Sequence, residues 1–308
     1  LLNLFEPPFQ TPLQPMLSLQ SYLKGPRLLV KRDDLTPFGG GKYRKVYVLI
    51  EDAHRSGATV VLTEGSIESR HARTTAILAR QKGIGCVLVL SPEADPDSRE
   101  PTLLDCDEGA RIILTQHWKE RKEVLDRESR ALARKGGVPI TIPFSGSTPL
   151  TALAYAQAFA ELKQQVEALR LPLSYVVFSS ASGGIQAGLE LGKRYFGAEE
   201  TLLFGVSPGL SVRDIKQHIL DLAGSAADLL GFSVTLLPED ICVSDDYAGE
   251  GYLKPTVASK AAMSLALNLE GLTLDPTYTA KAFAALIDQV ERQRFPVDST
   301  VVFLHTAG

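Results

Sequence analysis

Three segments of this chain combine glycines, hydroxyls and a basic side chain in the way a small-molecule site needs them. In the first, Lys31-Arg32-Asp33-Asp34-Leu35 leads into Phe38-Gly39-Gly40-Gly41-Lys42-Tyr43-Arg44-Lys45. A strand-like run enters a glycine loop, and Lys42 opens a helical pattern. Glycine lets the main chain approach a bound group closely. The positive end of the helix dipole favours the neutral amine of a lysine placed there. A neutral amine is the form that condenses with a carbonyl. Alone, the pattern also describes a surface lysine behind a flexible loop.

The second segment runs Thr63-Glu64-Gly65-Ser66-Ile67-Glu68-Ser69-Arg70-His71-Ala72-Arg73. Ser69 has the type and place of a helix N-cap. The first-turn N–H groups behind it would face an anion such as a substrate carboxylate. A solvated cap with His71 packed inside fits the same residues. In the third segment, a buried strand from Val176 runs into Ser182-Gly183-Gly184-Ile185 and then a helix. Clustered N–H groups and a helix dipole make such a turn a phosphate cradle. It matches neither the dinucleotide fingerprint nor the P-loop, which favours a single terminal phosphate. A plain strand–helix turn is the alternative. Three further groups say little one by one: Gly249-Glu250-Gly251-Tyr252, then Leu274-Asp275-Pro276-Thr277-Tyr278-Thr279-Ala280-Lys281, then His305-Thr306-Ala307-Gly308.

The elements that must hold these residues alternate in type. Short apolar runs at 28–31, 60–63, 86–90, 111–114, 140–143, 175–179, 202–206 and 301–305 predict strands buried on both faces. Helical patterns lie between them at 42–56, 72–82, 119–135, 149–169, 185–195, 212–230 and 279–293. Strands alternating with helices imply an α/β fold with parallel sheets covered on both sides, and the strand number implies two such three-layer domains. The expected division is a large domain of residues 1–45 plus 156–308 and a small domain of 46–155. The start, with Pro7, Pro8, Gln10, Pro12, Gln14 and Pro15, is expected to be an extended arm on the surface.

The chain has 308 residues, 44% hydrophobic and 22% charged, with a net charge of −4. No basic face is expected for nucleic acid or a membrane surface, so small-molecule chemistry is favoured. Cys86, Cys106 and Cys242 form no C-x-x-C pair, so no metal site is expected, and free thiols suit a reducing, cytoplasmic setting. No run approaches the ~18 apolar residues of a membrane span, and no signal peptide is seen. The chain opens Leu1-Leu2 and stops after a strand-like run, so residues are expected to be missing at both ends.

Taken in order, the motifs resemble one family. The chain is similar to the D-cysteine desulfhydrase and 1-aminocyclopropane-1-carboxylate (ACC) deaminase family of pyridoxal 5'-phosphate (PLP) enzymes, which has the tryptophan-synthase-β-like fold. The family pattern reads K-R-D-D-L, G-G-N-K-x-R-K, S-N-H-A-R, S-G-G-T, G-x-G-Y, L-D-P-V-Y-T/E and H-T-G-G. The resemblance implies PLP in the cleft between two domains and a homodimer. It implies Lys42 as the Schiff-base lysine that also shuttles the α-proton. Ser182, Gly183, Gly184 and Ile185 would surround the phosphate, and Ser69 would sit by the substrate carboxylate and α-carbon. Tyr278 would lie against the pyridine ring, Tyr252 would face the substrate, and Thr279 would meet the ring nitrogen, where ACC deaminases carry glutamate.

Four positions depart from the pattern. Asparagine is replaced by Gly41 and by Arg70, threonine by Ile185 and glycine by Ala307. The replaced asparagine at 70 is expected at the PLP phenolic oxygen. Arg70 can pair with that oxygen, hold a second acidic group of the substrate, or turn outward to Glu68 or Glu64. The resemblance implies α,β-elimination from a small amino acid, D-cysteine or a relative, giving a 2-oxo acid and ammonia. ACC-type ring opening and a PLP-binding protein without turnover are the alternatives.

Overall fold

A computed structural model describes residues 9–38, 40–92, 103–104 and 109–307. Pro7, Pro8, Gly39, Cys106 and Gly308, named above, lie outside the described residues. The chain divides into two compact units, Leu1–Gly41 with Ala152–Gly308, and Lys42–Thr151. The boundaries expected from the sequence fall a few residues further on, inside two helices.

In chain order the elements are β1 (Leu13–Pro15), α1 (Leu17–Leu23), β2 (Arg27–Arg32), α2 (Lys42–Arg55), β3 (Val60–Ser66), α3 (Arg70–Gln81), β4 (Gly85–Ser91), β5 (Arg111–Leu114), α4 (Trp118–Arg134), β6 (Pro139–Thr141), α5 (Pro149–Ala168), β7 (Tyr175–Ser179), α6 (Gly184–Tyr195), β8 (Leu202–Val206), α7 (Val212–Leu230), β9 (Val243–Ser244), α8 (Val257–Glu270), α9 (Thr279–Glu291) and β10 (Thr300–His305).

The larger unit holds a six-stranded sheet in the order β1-β2-β10-β7-β8-β9. Among the described residues only its β1–β2 pairing is antiparallel. Its strands are largely apolar because both faces are covered. Leu28, Val30, Val177, Val301 and Phe303 point to one core, shared with Met16, Leu19 and α9. Leu29, Val176, Phe178, Val302 and Leu304 point to the other, with Tyr155, Phe159 and Leu162 of α5. Phe303 meets Phe283 of α9 edge to face at 4.9 Å, a geometry worth about 0.5–1.5 kcal/mol beyond the buried area.

The smaller unit holds a four-stranded parallel sheet in the order β5-β4-β3-β6. Val60, Leu62, Val87 and Val89 pack with Leu125 of α4. In both units the parallel strands bring their C-terminal ends, and the turns into α3 and α6, to one edge of their sheet. Ligands of open α/β sheets bind at such edges.

The described residues of the expected surface arm are exposed at Gln10, Pro12, Gln14 and Pro15, and the structure adds that the arm ends in a paired strand. Leu13–Pro15 is a strand paired with β2, Thr11 is buried, and Met16 and Leu19 are fully buried. Pro15 is tolerated because β1 is an edge strand.

The same packing explains the first motif without invoking chemistry. The buried ammonium of Lys31 donates to the Thr11 carbonyl at 2.6 Å and Gln165 Oε1 at 2.7 Å, and it pairs with Glu161. Arg32 grips Asp34 with two hydrogen bonds, at 2.9 and 2.7 Å. Thr11 Oγ1 donates to Asp33 at 2.7 Å. These side chains fasten the segment at Thr11 to the end of β2 and the turn after it.

Candidate active site

The smaller unit carries Lys42, Ser69 and Arg70. Lys42 is the first residue of α2, and its amine is lowered to about 8 by burial. That makes the neutral, nucleophilic form far more available than for an ordinary lysine, and dominant above about pH 8. Lys45, one turn on, is held well below the usual lysine range by burial and by the nearby Lys42, and it donates to Ser147 Oγ at 2.9 Å. His71 is pushed down to about 3 by burial and by the same two lysines. Its Nε2 lies 3.1 Å from Thr63 Oγ1. The single Thr63 proton goes to the Ile142 carbonyl at 3.0 Å. Burial and the two lysines keep the His71 ring neutral. No second cation is fixed beside the Lys42 amine by this histidine.

Ser69 caps α3, accepting the N–H of Ala72 at 3.2 Å while its own proton stays available. A Cβ on Gly65 would stand 2.6 Å from Ser69 Oγ, so a glycine at the end of β3 is what admits this cap. Arg70 is the first residue of α3 and half-buried. Glu64, one of the outward partners considered for it, is paired with Arg121 at 3.3 Å.

The glycines before Lys42 belong to the larger unit, and their need is steric. A Cβ on Gly40, which has φ +64°, would stand 2.1 Å from the Thr306 carbonyl. A Cβ on Gly41 would stand 2.6 Å from the Tyr155 hydroxyl. That hydroxyl donates to the Gly41 carbonyl at 2.9 Å, and the Gly41 N–H donates to Thr306 O at 2.6 Å. The space an asparagine would need at position 41 is filled by Tyr155.

The Ser182-Gly183-Gly184 turn joins β7 to α6. Gly183, with φ +78°, is the N-cap of α6 and offers no side chain to the first-turn amides. A Cβ there would crowd Ile219 and His218 at 3.2 and 3.3 Å. Ser182 is half-buried at the turn, and Gly184 is buried. Ile185 packs on the core under the sheet, so it offers no hydroxyl. Just upstream, the buried hydroxyls of Ser179 and Ser180 make no hydrogen bond within the described residues.

The last part of the larger unit is organised by Asp275, a residue to which the sequence alone assigned no role. Its carboxylate accepts the N–H groups of Thr277, Tyr278 and Thr279 at 3.0, 2.7 and 2.9 Å, and the Thr279 hydroxyl at 2.6 Å. Thr279 Oγ1 also accepts the Asp275 N–H at 2.9 Å and lies 3.0 Å from the Ala307 carbonyl. Tyr278 precedes α9, and its hydroxyl is hydrogen-bonded to that of Tyr252. Their rings lie 5.9 Å apart at 63°. The L-D-P-x-Y-T run carried the signal for Asp275, since an aspartate just before a helix start is a cap.

Two α/β units, a buried lysine at a helix start and a glycine turn at a helix N-terminus are parts that an enzyme acting on an amine through a phosphorylated cofactor needs. The model of the family described as "pyridoxal-phosphate dependent enzyme" matches residues 4–307, and the chain belongs to that family. D-cysteine desulfhydrase of Salmonella typhi is 36% identical over 306 residues, covering 97% of this chain and 91% of that protein. The D-cysteine desulfhydrase of Salmonella typhimurium (strain LT2) shows the same identity and coverage. Among solved structures, an ACC deaminase homologue superposes with a TM-score of 0.85 at 30% identity, covering 97% of this chain and 90% of that one. Serine racemase from Dictyostelium discoideum shares the fold at a TM-score of 0.70 and 16% identity, with 97% of this chain and 92% of that one covered.

The family, fold class and cofactor expected from the motifs are borne out. The residues fit PLP. Lys42 offers an amine lowered to about 8 for the aldehyde, and the turn at Gly183 offers uncapped amides to the phosphate. Among the described residues no group of His, Cys, Asp and Glu could hold a metal ion, and no helix is long and apolar enough to cross a membrane. Cys86 and Cys242 are free thiols.

Proposed function

We propose that this enzyme catalyses α,β-elimination on D-cysteine or a close relative, releasing sulfide, ammonia and a 2-oxo acid. The observation that carries the reading is Lys42 at the start of α2 with its amine lowered to about 8, in a chain 36% identical to D-cysteine desulfhydrase. PLP, when bound, supplies an aldehyde that captures an amine and a ring that takes up carbanion charge.

The roles of the chain's own residues follow from their chemistry. Lys42 holds the cofactor at rest and moves the proton at the substrate α-carbon. Ser69, with its proton free to donate, holds the substrate carboxylate beside the first-turn amides of α3. The amides of Gly183, Gly184 and Ile185, with Ser182, bind the phosphate. Thr279 would serve the ring nitrogen as a neutral partner by turning its hydroxyl proton away from Asp275, which suits expulsion of a good β-leaving group better than opening of a cyclopropane. Tyr278 lies against the ring, and its hydroxyl partner Tyr252 faces the substrate. Free thiols support placing the enzyme in the cytoplasm, and the habit of this fold supports a homodimer.

The test is a panel of D- and L-amino acids with ACC, read by ammonia and 2-oxo acid release. Turnover of D-cysteine is expected. Borohydride should fix the cofactor to a peptide containing Lys42. Fixation at Lys31 or Lys45, or a panel with no turnover, overturns the reading.

A further inference from the structure

Lys281 is fully buried on α9, three residues after Tyr278. Its Nζ donates to three main-chain carbonyls: Pro208 at 3.1 Å, Ala248 at 2.7 Å and Gly251 at 2.8 Å. An ammonium has three N–H groups and no acceptor, so three carbonyls satisfy it completely. Burial pulls the amine down from its usual value. The three carbonyl dipoles oppose that pull, because a neutral amine would turn a lone pair towards one of them.

The carbonyls belong to the two loops that meet at Tyr252. Gly251 is the residue before it. Gly209, after Pro208, lies so close that a Cβ there would stand 2.9 Å from Tyr252 Cβ and 3.0 Å from its nitrogen. The loop around Tyr252 turns through left-handed backbone: φ is +64° at Gly249 and +126° at Gly251, which glycine adopts readily, and 61° at Leu253, which a leucine does not. A non-glycine residue in this region is uncommon and needs surrounding structure to hold it. Tyr252 itself is 50% exposed. Burial therefore does little to fix its ring, yet its hydroxyl meets that of Tyr278.

We propose that Lys281 is a positioning residue that ties the Tyr252 loop to α9, so that the Tyr252 and Tyr278 hydroxyls are held as a pair. Tyr278 starts the helix from which Lys281 reaches out, so one rigid element sets both members. The proposal rests on the reading that this pair serves the substrate.

The experiment compares the holoenzyme with Lys281→Met, Tyr252→Phe and the double variant. The readouts are kcat and KM on D-cysteine, PLP affinity by absorbance titration, and amide hydrogen exchange of residues 248–254. Lys281→Met should lower kcat on the order of tenfold, leave PLP affinity within about twofold, and speed exchange in 248–254. Groups that act as one unit are not additive. Tyr252→Phe should therefore cost less than about twofold further in the Lys281→Met background. Lys281→Gln, which keeps two donors, is read in the same way if the methionine variant does not fold.

Unchanged kcat and unchanged exchange in the Lys281 variant, with a defect in Tyr252→Phe, overturn the proposal and leave the tyrosine reading standing. A defect in the Lys281 variant that adds fully to that of Tyr252→Phe also overturns it. If Tyr252→Phe turns over normally, the tyrosine reading fails instead. Exchange of 248–254 then decides alone whether Lys281 holds the loop.

Discussion

The Tyr155 hydroxyl donates to the Gly41 carbonyl at 2.9 Å and occupies the place of a side chain at position 41. Tyr155 is fully buried between α5 and the sheet, so it cannot step aside. Gly41→Asn, which restores the family residue, is therefore expected to destabilise the protein by about 1–3 kcal/mol, the usual cost of overpacking. In a Tyr155→Phe background the oxygen is gone and the penalty should shrink, giving a coupling of at least about 0.5 kcal/mol in a double-mutant cycle. Denaturant unfolding of the four proteins measures this, and additive effects would refute the contact.

A second prediction concerns Lys42 and pH. Its amine is lowered from 10.5 to about 8 in the folded protein. Between those values the unfolded chain holds the extra proton, so stability from this site rises with pH. Below about 8 both states are protonated and the penalty is present in full. Cofactor-free Lys42→Met should be more stable than the cofactor-free parent at pH 7, and the gap should narrow towards pH 10. A gap that is the same at both pH values would clear the amine of this role.

Asp275 and Thr279 lead to a third. Asparagine at 275 offers one oxygen where the carboxylate serves three N–H groups and a hydroxyl. Asp275→Asn should cost about 1–3 kcal/mol, as for a charged hydrogen-bond acceptor. With a neutral Thr279, elimination from D-cysteine should run well above ring opening of ACC. Thr279→Glu should not convert the enzyme, because the new carboxylate would meet that of Asp275. Efficient 2-oxobutanoate formation from ACC by the parent protein would overturn the neutral role given to Thr279.

The fourth prediction concerns Arg70, the first residue of α3 beside the Ser69 cap. A guanidinium there can grip an oxyanion with two parallel hydrogen bonds. Such charge-assisted bonds are worth about 1.5–3 kcal/mol, roughly 10- to 100-fold in affinity. Arg70→Asn should shift the substrate profile towards uncharged amino acids by that factor, or raise the pH at which the visible absorbance of the bound cofactor changes. If profile and absorbance both stay as they are, Arg70 has no part in the site.

Much of this architecture is legible in the residues. Val176 to Ser179 and Val301 to His305 are mostly apolar because both faces are covered, and the strands follow from that. Lys42 and Ser69 are legible as helix starts because glycine before the one and serine at the other are favoured N-cap residues. What escaped the sequence depends on distant partners. The edge strand Leu13–Pro15 reads as an arm until β2 is placed beside it. The helix Val257–Glu270 shows little contrast between its faces, with Val257 and Leu267 exposed. Tyr155 and Lys281 have roles only through carbonyls 114 and 30–73 residues away, which no local pattern announces.

The order in which the larger sheet is assembled bears on how the protein is born. Arg27 on β2 reaches a partner 273 residues downstream, on β10. A nascent chain emerging from the ribosome must keep β2 unpaired on that edge through most of its synthesis. The smaller unit, which interrupts the sequence of the larger one, has all its strands within Lys42–Thr151 and can close while the larger unit waits. The β1–β2 hairpin guards the other edge from the outset. Long-range parallel pairing of this kind is slow and exposed to aggregation. The late-closing β2 edge is thus where dependence on chaperones during expression would concentrate, and slower translation before β10 would lengthen that exposure.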